Sequence, residues 1–256
     1  MLLAVDVGNT QTVIGMYRGD ELVDHWRVST NAERTSDEHA LLVSDFLGFQ
    51  GADLPDVTGM VVCSGVPRLT ATLREMSERY LGQPALVVEP GVKTGMPIRY
   101  ENPREVGPDR IADAVGAHDL YGGPTVVVDF STAMVFDAIT ANGEYLGGAI
   151  VPGVEVSLDA LFGRAAGLRR VELVEPRSVI GRSSIESVQS GAVYGFASLV
   201  QGMIRRIEDE IGASCTTVAT GSPGGLLTVL SDTIDHFEPW LTLHGLRLIH
   251  ERNRTD

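Results

Sequence analysis

The chain has 256 residues, is 43% hydrophobic and 21% charged, and spreads 29 glycines along its length; this excludes a disordered or fibrous protein and suits one large α/β domain or two of ordinary size. With 34 acidic against 20 basic residues the formal net charge is −14, so a nucleic-acid backbone would meet a repulsive average field and is excluded as an expected partner. Only five apolar residues precede Asp6 and no apolar run approaches the roughly 18 residues of a membrane helix, which predicts a cytoplasmic protein with no membrane partner.

From residue 2 the segment LLAVDVGNTQTVIGMYRGDELV runs apolar, turns at residues 8–12, resumes apolar and turns again at 18–20, the grammar of two strands and the start of a third. Thr35 with Glu38 has capping-box spacing and opens a predicted helix near 36–48. VVCSGVP at 61–67 reads as a strand ending in a small-residue turn before a helix near 67–81, and a further helix is expected at 107–120. Gly122, Gly123 and Pro124 then mark a boundary, giving domains 1–122 and 123–256.

The second half repeats the first. TVVVDFSTAMVFDAITANGEYLG, starting at Thr125, places Asp129 where Asp6 stood, residues 131–133 where 8–10 stood and Glu144 where Glu21 stood, an offset of 123 residues. TVATGSP at 217–223 echoes VVCSGVP, and HFEPW near Glu238 more faintly echoes VVEPG near Glu89. The period is too long for a solenoid and predicts two α/β domains of similar fold facing a cleft. Helices are expected at 154–165, 184–211 (opened by Ser183 with Glu186), 224–231 and 241–252. The helix from 184 carries a broad apolar stripe through Ile185, Val188, Val193, Phe196, Leu199, Val200 and Ile204, suited either to a core or to a dimer interface. The basic clusters at 164–170 and 205–206 read as solvated helical faces or a subunit contact.

Chemistry concentrates at the turns. Asp6, Gly8, Asn9 and Thr10 join a carboxylate, a small residue that lets backbone N–H donors approach an anion, an amide and a hydroxyl, a set that can surround a phosphate, while the carboxylate can hold Mg²⁺ through water. Asp129 supplies the matching carboxylate; Asp137 ranks below both. Gly107, Asp109 and Arg110 open a helix whose N-terminus favours anions; Arg110 can grip a carboxylate or phosphate and Asp109 can act as general base. The six histidines show no ligand or triad spacing, and Cys63 and Cys215 match no metal or redox motif and are expected as buried thiols. P-loop, dinucleotide GxGxxG, HExxH and GxSxG patterns are absent.

At DVGNT (6–10), YENPREVGPDR (100–110), VVDFSTAMVFD (127–137), GGAIVPGV (147–154), IGRSSIESVQSGAVYG (180–195) and VATG (218–221) the sequence resembles the type III pantothenate kinases, members of the acetate and sugar kinase, heat-shock chaperone and actin superfamily. The resemblance covers essentially the whole chain. It implies two duplicated ribonuclease-H-like domains in an actin-like ATPase fold, the second carrying a homodimer interface, and ATP-dependent phosphorylation of pantothenate to 4′-phosphopantothenate at the start of coenzyme A biosynthesis. It further implies ATP-phosphate contacts from Asp6, Gly8, Asn9, Thr10, Thr12 and Thr132, and adenosine contacts from Thr220 and Gly221. Asp109 would be the base, pantothenate would meet Tyr100, Gly107, Arg110 and, across the dimer, Ser184, and Asp129 would help hold K⁺ or NH₄⁺. Three positions depart from the family pattern: Ser131 replaces the usual glycine of the second turn, Ser184 replaces a threonine, and residues 222–225 are altered. A positive φ at Ser131, or a phosphate approaching where the glycine has no side chain, would cost about 1–3 kcal/mol. The alternatives are a kinase of the same fold for another small hydroxyl metabolite such as a nucleoside, and a catalytically weak nucleotide-binding regulatory relative.

Overall fold

The computed structural model describes residues 1–254 other than 166, 169 and 225. It divides into two compact units: Met1–Gly116 with the C-terminal segment from Leu241, and Ala117–Trp240. The expected boundary at 122/123 assigned the last helix to the second domain, whereas the structure assigns it to the first. The reason is apolar: Leu241, Leu243, Leu246 and Ile249 are buried, and that helix lies against three strands of the first sheet.

In the first unit β1 (Leu2–Val7), β2 (Gln11–Arg18) and β3 (Glu21–Ser29) form an antiparallel meander, and β4 (Gly59–Ser64) and β5 (Leu86–Val87) extend it in parallel beyond β1. The strand order is β3-β2-β1-β4-β5. β1 is central and covered on both faces, which is why it reads as a nearly unbroken apolar run. Leu3, Val5, Val7, Ile14 and Met16 pack with α1 (Ser36–Phe49) through Ala40, Val43 and Leu47, and with α2 (Pro67–Met76) through Leu69, Leu73 and Met76. The expected capping box forms: the Glu38 amide donates to Thr35 Oγ1 at 3.3 Å and the Thr35 amide donates to the Glu38 carboxylate at 2.7 Å. A π turn at Ser77–Leu81 completes the helical stretch predicted over 67–81. α3 (Pro108–Tyr121) carries the chain out of this unit, and the final helix, Leu241–Asn253, returns to it.

The second unit repeats the plan. β6 (Thr125–Phe130), β7 (Ala133–Ile139) and β8 (Tyr145–Pro152) form the meander, β9 (Thr216–Gly221) and β10 (His236–Phe237) the parallel extension, in the order β10-β9-β6-β7-β8. The pairing follows the same plan with the second turn one residue shorter: Asp6 pairs with Val13 and Cys63, and Asp129 with Val135 and Thr220. Both sequence echoes therefore mark topologically equivalent strands. α4 (Val154–Arg164) follows β8, and α5 (Ser184–Ile211) is capped by Ser183, whose hydroxyl accepts from the Glu186 amide at 3.2 Å. Val193, Ala197, Val200 and Ile204 of α5 join Val126, Val128, Phe130 and Phe136 in the core, while Ile185 at its N-terminus is 57% exposed. The stripe thus serves the core along most of its length. α6 (Leu226–Val229) is shorter than the stretch expected over 224–231, and the C-terminal helix is α7.

Of the basic clusters, Arg205 and Arg206 lie on the solvated face of α5 as expected. The other leaves the helix: Arg164 ends α4, Arg170 pairs with Asp159 at 2.6 Å, and Arg169 lies outside the described residues. Cys63 and Cys215 are buried free thiols. Among the described residues no helix is long and apolar enough to cross a membrane.

Candidate active site

The β1–β2 turn is tightly tied. The Gly8 amide donates to Gln11 O at 3.0 Å, and from the residue after β3 the Thr30 amide donates to Thr10 O at 2.9 Å and its hydroxyl to Gly8 O at 2.8 Å. Asn9 and Thr10 are exposed. Thr12, grouped by resemblance with the phosphate contacts, instead turns inward: it is 3% exposed and its hydroxyl lies 2.9 Å from that of Thr30. It supports the turn from behind, because alternation along β2 puts it on the covered face.

Asp6 closes β1 half-buried, and the Cys63 thiol on β4 donates to its Oδ1 at 3.1 Å. Burial pushes the Asp6 carboxyl up to about 6; the Cys63 hydrogen bond opposes that rise and the charge of Asp109 adds to it. Burial also drives the Cys63 thiol well above its ordinary range, with the Asp6 and Asp109 charges adding. Two carboxylates thus feel each other within the first unit, an arrangement that a cation or cationic complex relieves.

Asp109 stands at the start of α3. It is exposed, and its Oδ1 folds back over Gly107, where any Cβ would overlap it. The Gly107 carbonyl accepts from the Ile111 amide at 3.2 Å, so Gly107 caps the helix. Arg110 is drawn into the unit at 8% exposure, leaving Asp109 as the exposed charge of the pair, and Tyr100 is half-buried.

In the second unit Asp129 occupies the place of Asp6. Ser131 follows, and among the described residues only glycines have positive φ, so the backbone part of the expected penalty does not arise. Its hydroxyl instead donates to Asp129 Oδ2 at 2.7 Å. Thr132 is exposed, and its carbonyl accepts from the Gly153 amide at 3.0 Å. Thr220 is 3% exposed beside Asp129 in the ladder. Gly221 has φ +81° and passes so close to β6 that a Cβ would lie 2.6 Å from Asp129 Oδ1. The surface this segment offers a ligand is therefore Gly221 onward; Gly225 of the altered turn lies outside the described residues. Ser184 is the exposed first residue of α5 and lines a groove of about 840 Å³ with Leu158, Leu161, Ser187 and Val188 of α4 and α5.

Thr30, Cys63 and Gly153 were not singled out by sequence reasoning. Thr30 and Gly153 have one signal: each directly follows the third strand of its meander. Cys63 was visible only as an apolar strand residue.

Among the described residues no group of three or more His, Cys, Asp or Glu gathers into a metal cage. Mg²⁺ held beside nucleotide phosphates keeps several waters and needs only one or two carboxylates. The raised, half-buried Asp6 fits such a water-mediated contact, and Asp129, a hard oxygen donor held by Ser131, fits a monovalent cation.

The sequence pattern of the family described as type III pantothenate kinase matches residues 2–206. The chain is 52% identical over 253 residues to the type III pantothenate kinase of Moorella thermoacetica, covering 99% of this chain and 100% of that protein. It is 51% identical over 261 residues to that of Streptomyces griseus, covering 99% and 98%. Among solved structures it is similar to a Campylobacter jejuni protein described as a candidate Baf family transcriptional activator, at TM-score 0.62 and 19% identity over 98% of both chains. It is also similar to the ADPNP-bound activator of 2-hydroxyisocaproyl-CoA dehydratase from Clostridium difficile, at TM-score 0.53 and 12% identity over 98% of this chain and 95% of that one. At these identities the structural likeness speaks for the fold alone, an actin-like ATPase α/β architecture. The sequence likeness runs from end to end at half identity and includes both duplicated turns: the chain belongs to the type III pantothenate kinase family.

Proposed function

We propose that this pantothenate kinase transfers the γ-phosphoryl group of ATP to the hydroxyl of pantothenate at the first-unit turn, with Asp109 as the base. The observation that carries the assignment is the exposed Asp109 carboxylate at the start of α3, folded back over Gly107 and next to the buried Arg110; its charge also adds to the rise at Asp6. Phosphoryl transfer asks the protein chiefly for positioning and charge neutralisation. Asp6, Gly8, Asn9 and Thr10 are the first-unit phosphate contacts in this reading; Thr132 is a further phosphate contact and Gly221 an adenosine contact, with the buried Thr220 behind it. Tyr100, Gly107 and Arg110 position pantothenate, Arg110 answering its carboxylate. Asp109 accepts the hydroxyl proton as that oxygen bonds to the γ-phosphorus and the bond to the β-phosphate oxygen breaks, leaving ADP and 4′-phosphopantothenate, the entry to coenzyme A. Asp6 would hold Mg²⁺ through water and Asp129 K⁺ or NH₄⁺, cations that would neutralise phosphate charge.

The α4–α5 face suits a second copy of the chain. Ile150, Val156, Leu161, Val179, Ile180 and Ile185 are exposed there or nearby in sequence, and Ser184 on the groove would then reach the partner's pantothenate. A cytoplasmic homodimer is the working form. Ser131 motivated a catalytically weak regulatory reading; its ordinary backbone counts against the strain part of that motive, and its bond to Asp129 braces the turn.

The test is ADP production from Mg-ATP and pantothenate with and without K⁺ or NH₄⁺. Asp109→Asn is expected to lower kcat by about 10²–10⁴-fold with the KM for ATP little changed. Undiminished turnover in that variant removes Asp109 from the role of base, and no turnover in the folded parent overturns the substrate assignment.

A further inference from the structure

We propose that Thr30 is a positioning residue for phosphoryl transfer, a pin that sets the direction of the backbone donors in the first phosphate turn. The proposal rests on the reading of residues 8–10 as the phosphate-binding turn.

Thr30 makes two bonds to that turn from one residue: its amide to Thr10 O at 2.9 Å and its hydroxyl to Gly8 O at 2.8 Å. In a planar trans peptide the C=O and the following N–H point in opposite directions. Drawing the Gly8 and Thr10 carbonyls toward Thr30 therefore turns the amides of Asn9 and Gln11 away from it, and both carbonyls are kept from facing an anionic ligand. Proton counting then orients the rest. The single Thr30 hydroxyl proton goes to Gly8 O, so at the 2.9 Å contact between hydroxyls Thr12 is the donor and Thr30 the acceptor. The relay runs from Thr12 to Thr30 to the Gly8 carbonyl, and such chains polarise and strengthen one another. Thr12 is 3% exposed, so water competes poorly for the inner link.

The duplication supplies an internal comparison. At the same offset of 123 residues, the position after β8 is Gly153, whose amide likewise ties its turn, to Thr132 O at 3.0 Å. There the backbones come so close that a Cβ on Gly153 would overlap Ser131 O and lie 2.6 Å from Thr132 O. No side chain fits at Gly153, so that residue ties the second turn through its backbone, and Ser131 braces the turn within itself through Asp129 and Ala133. The shared backbone tie is the inherited part; the Thr30 hydroxyl is an addition confined to the turn that carries Asp6, Asn9 and Thr10.

The experiment compares Thr30→Val, which keeps shape and loses the hydroxyl, with Thr30→Ser, which keeps the hydroxyl. Steady-state constants for both substrates are read together with the affinity for a non-hydrolysable ATP analogue. Thr30→Val is expected to raise the KM for ATP and the analogue Kd about tenfold, with the KM for pantothenate within about twofold, and Thr30→Ser to stay within about threefold of the parent on every constant. Thr12→Val, which removes only the inner link, is expected to raise the KM for ATP by a smaller factor, about threefold, and provides a reading should Thr30→Val fold poorly. The pin is overturned if Thr30→Val or, in its place, Thr12→Val binds ATP as the parent does, or if Thr30→Ser is impaired as much as Thr30→Val. Gly8→Val separates the two levels: if it leaves ATP binding intact, the phosphate reading of the turn fails, whereas if it abolishes binding while Thr30→Val does not, the pin alone fails.

Discussion

Gly221 sits where β9 leaves the second sheet with φ +81°, and a Cβ there would lie 2.5 Å from Phe130 O, 2.6 Å from Asp129 Oδ1 and 2.8 Å from Phe130 C. Phe130 O cannot drift aside freely, because it accepts from the Ser222 amide at 2.7 Å and Phe130 is paired with Gly221 in the β6–β9 ladder. Gly221→Ala therefore carries two costs: about 1–2 kcal/mol for an L-residue in the left-handed region and about 1–3 kcal/mol for forcing atoms into a filled space. Gly224, three residues on, has φ +55° with nothing within 4 Å of a Cβ, so Gly224→Ala bears only the first. Urea denaturation of the two variants should separate them by about 2 kcal/mol, Gly221→Ala being the weaker. Because the new methyl also presses on the Asp129 carboxylate, Gly221→Ala should raise the KM for ATP while Gly224→Ala leaves it near the parent value. Equal denaturation midpoints for the two alanines would refute the close approach as the reason for Gly221.

The remaining predictions concern buried titratable groups. His39 is 3% exposed, and burial, aided by the charge of Arg34, lowers its pKa from 6.5 to about 4. The unfolded chain binds that proton more tightly than the native one, so the stability His39 contributes is complete above pH 6.5 and is lost as pH falls toward 4. Stability by urea titration should fall by about 2 kcal/mol more between pH 7 and pH 4.5 in the parent than in His39→Gln; parallel pH curves would contradict it. Cys63 is fully buried with its thiol well above the ordinary range, and Cys215 is buried with its thiol raised, so a disulfide reagent at pH 7.5 should titrate neither thiol in the folded protein and both in urea. Fast modification of Cys63 in the native state would mean that the Asp6 region opens readily.

The duplication was legible because each half writes the same order of Asp, polar turn and hairpin, and strand-end residues fall where the chain must turn. Helix starts at Ser36 and Ser184 were legible from their preceding caps, since a hydroxyl three residues before a glutamate is a local signal. Less local facts were not. That α7 covers the first sheet depends on which exposed apolar face it meets, and the spacing of its leucines is the same for either. Thr12 and Thr132 both lie at a duplicated turn and both carry hydroxyls, yet Thr12 is on β2 and buried against Thr30 while Thr132 is within the turn and exposed; where the strand begins separates them. Ser131 looked costly because a side chain replaced a hydrogen, whereas the backbone there is one any residue adopts.

The return of α7 to the first unit makes the second unit an excursion from it. During synthesis residues 117–240 are complete before the helix that covers β1, β2 and β4 exists. The second sheet can thus close while the first, with its phosphate turn and Asp109, still lacks one of its covering layers. Damage at the C-terminal end should accordingly be felt at the opposite end of the sequence: a chain stopped after Trp240 keeps every residue of both turns yet leaves bare the strand that carries Asp6, so the last thirteen helical residues, Leu241–Asn253, govern when the first site comes into being.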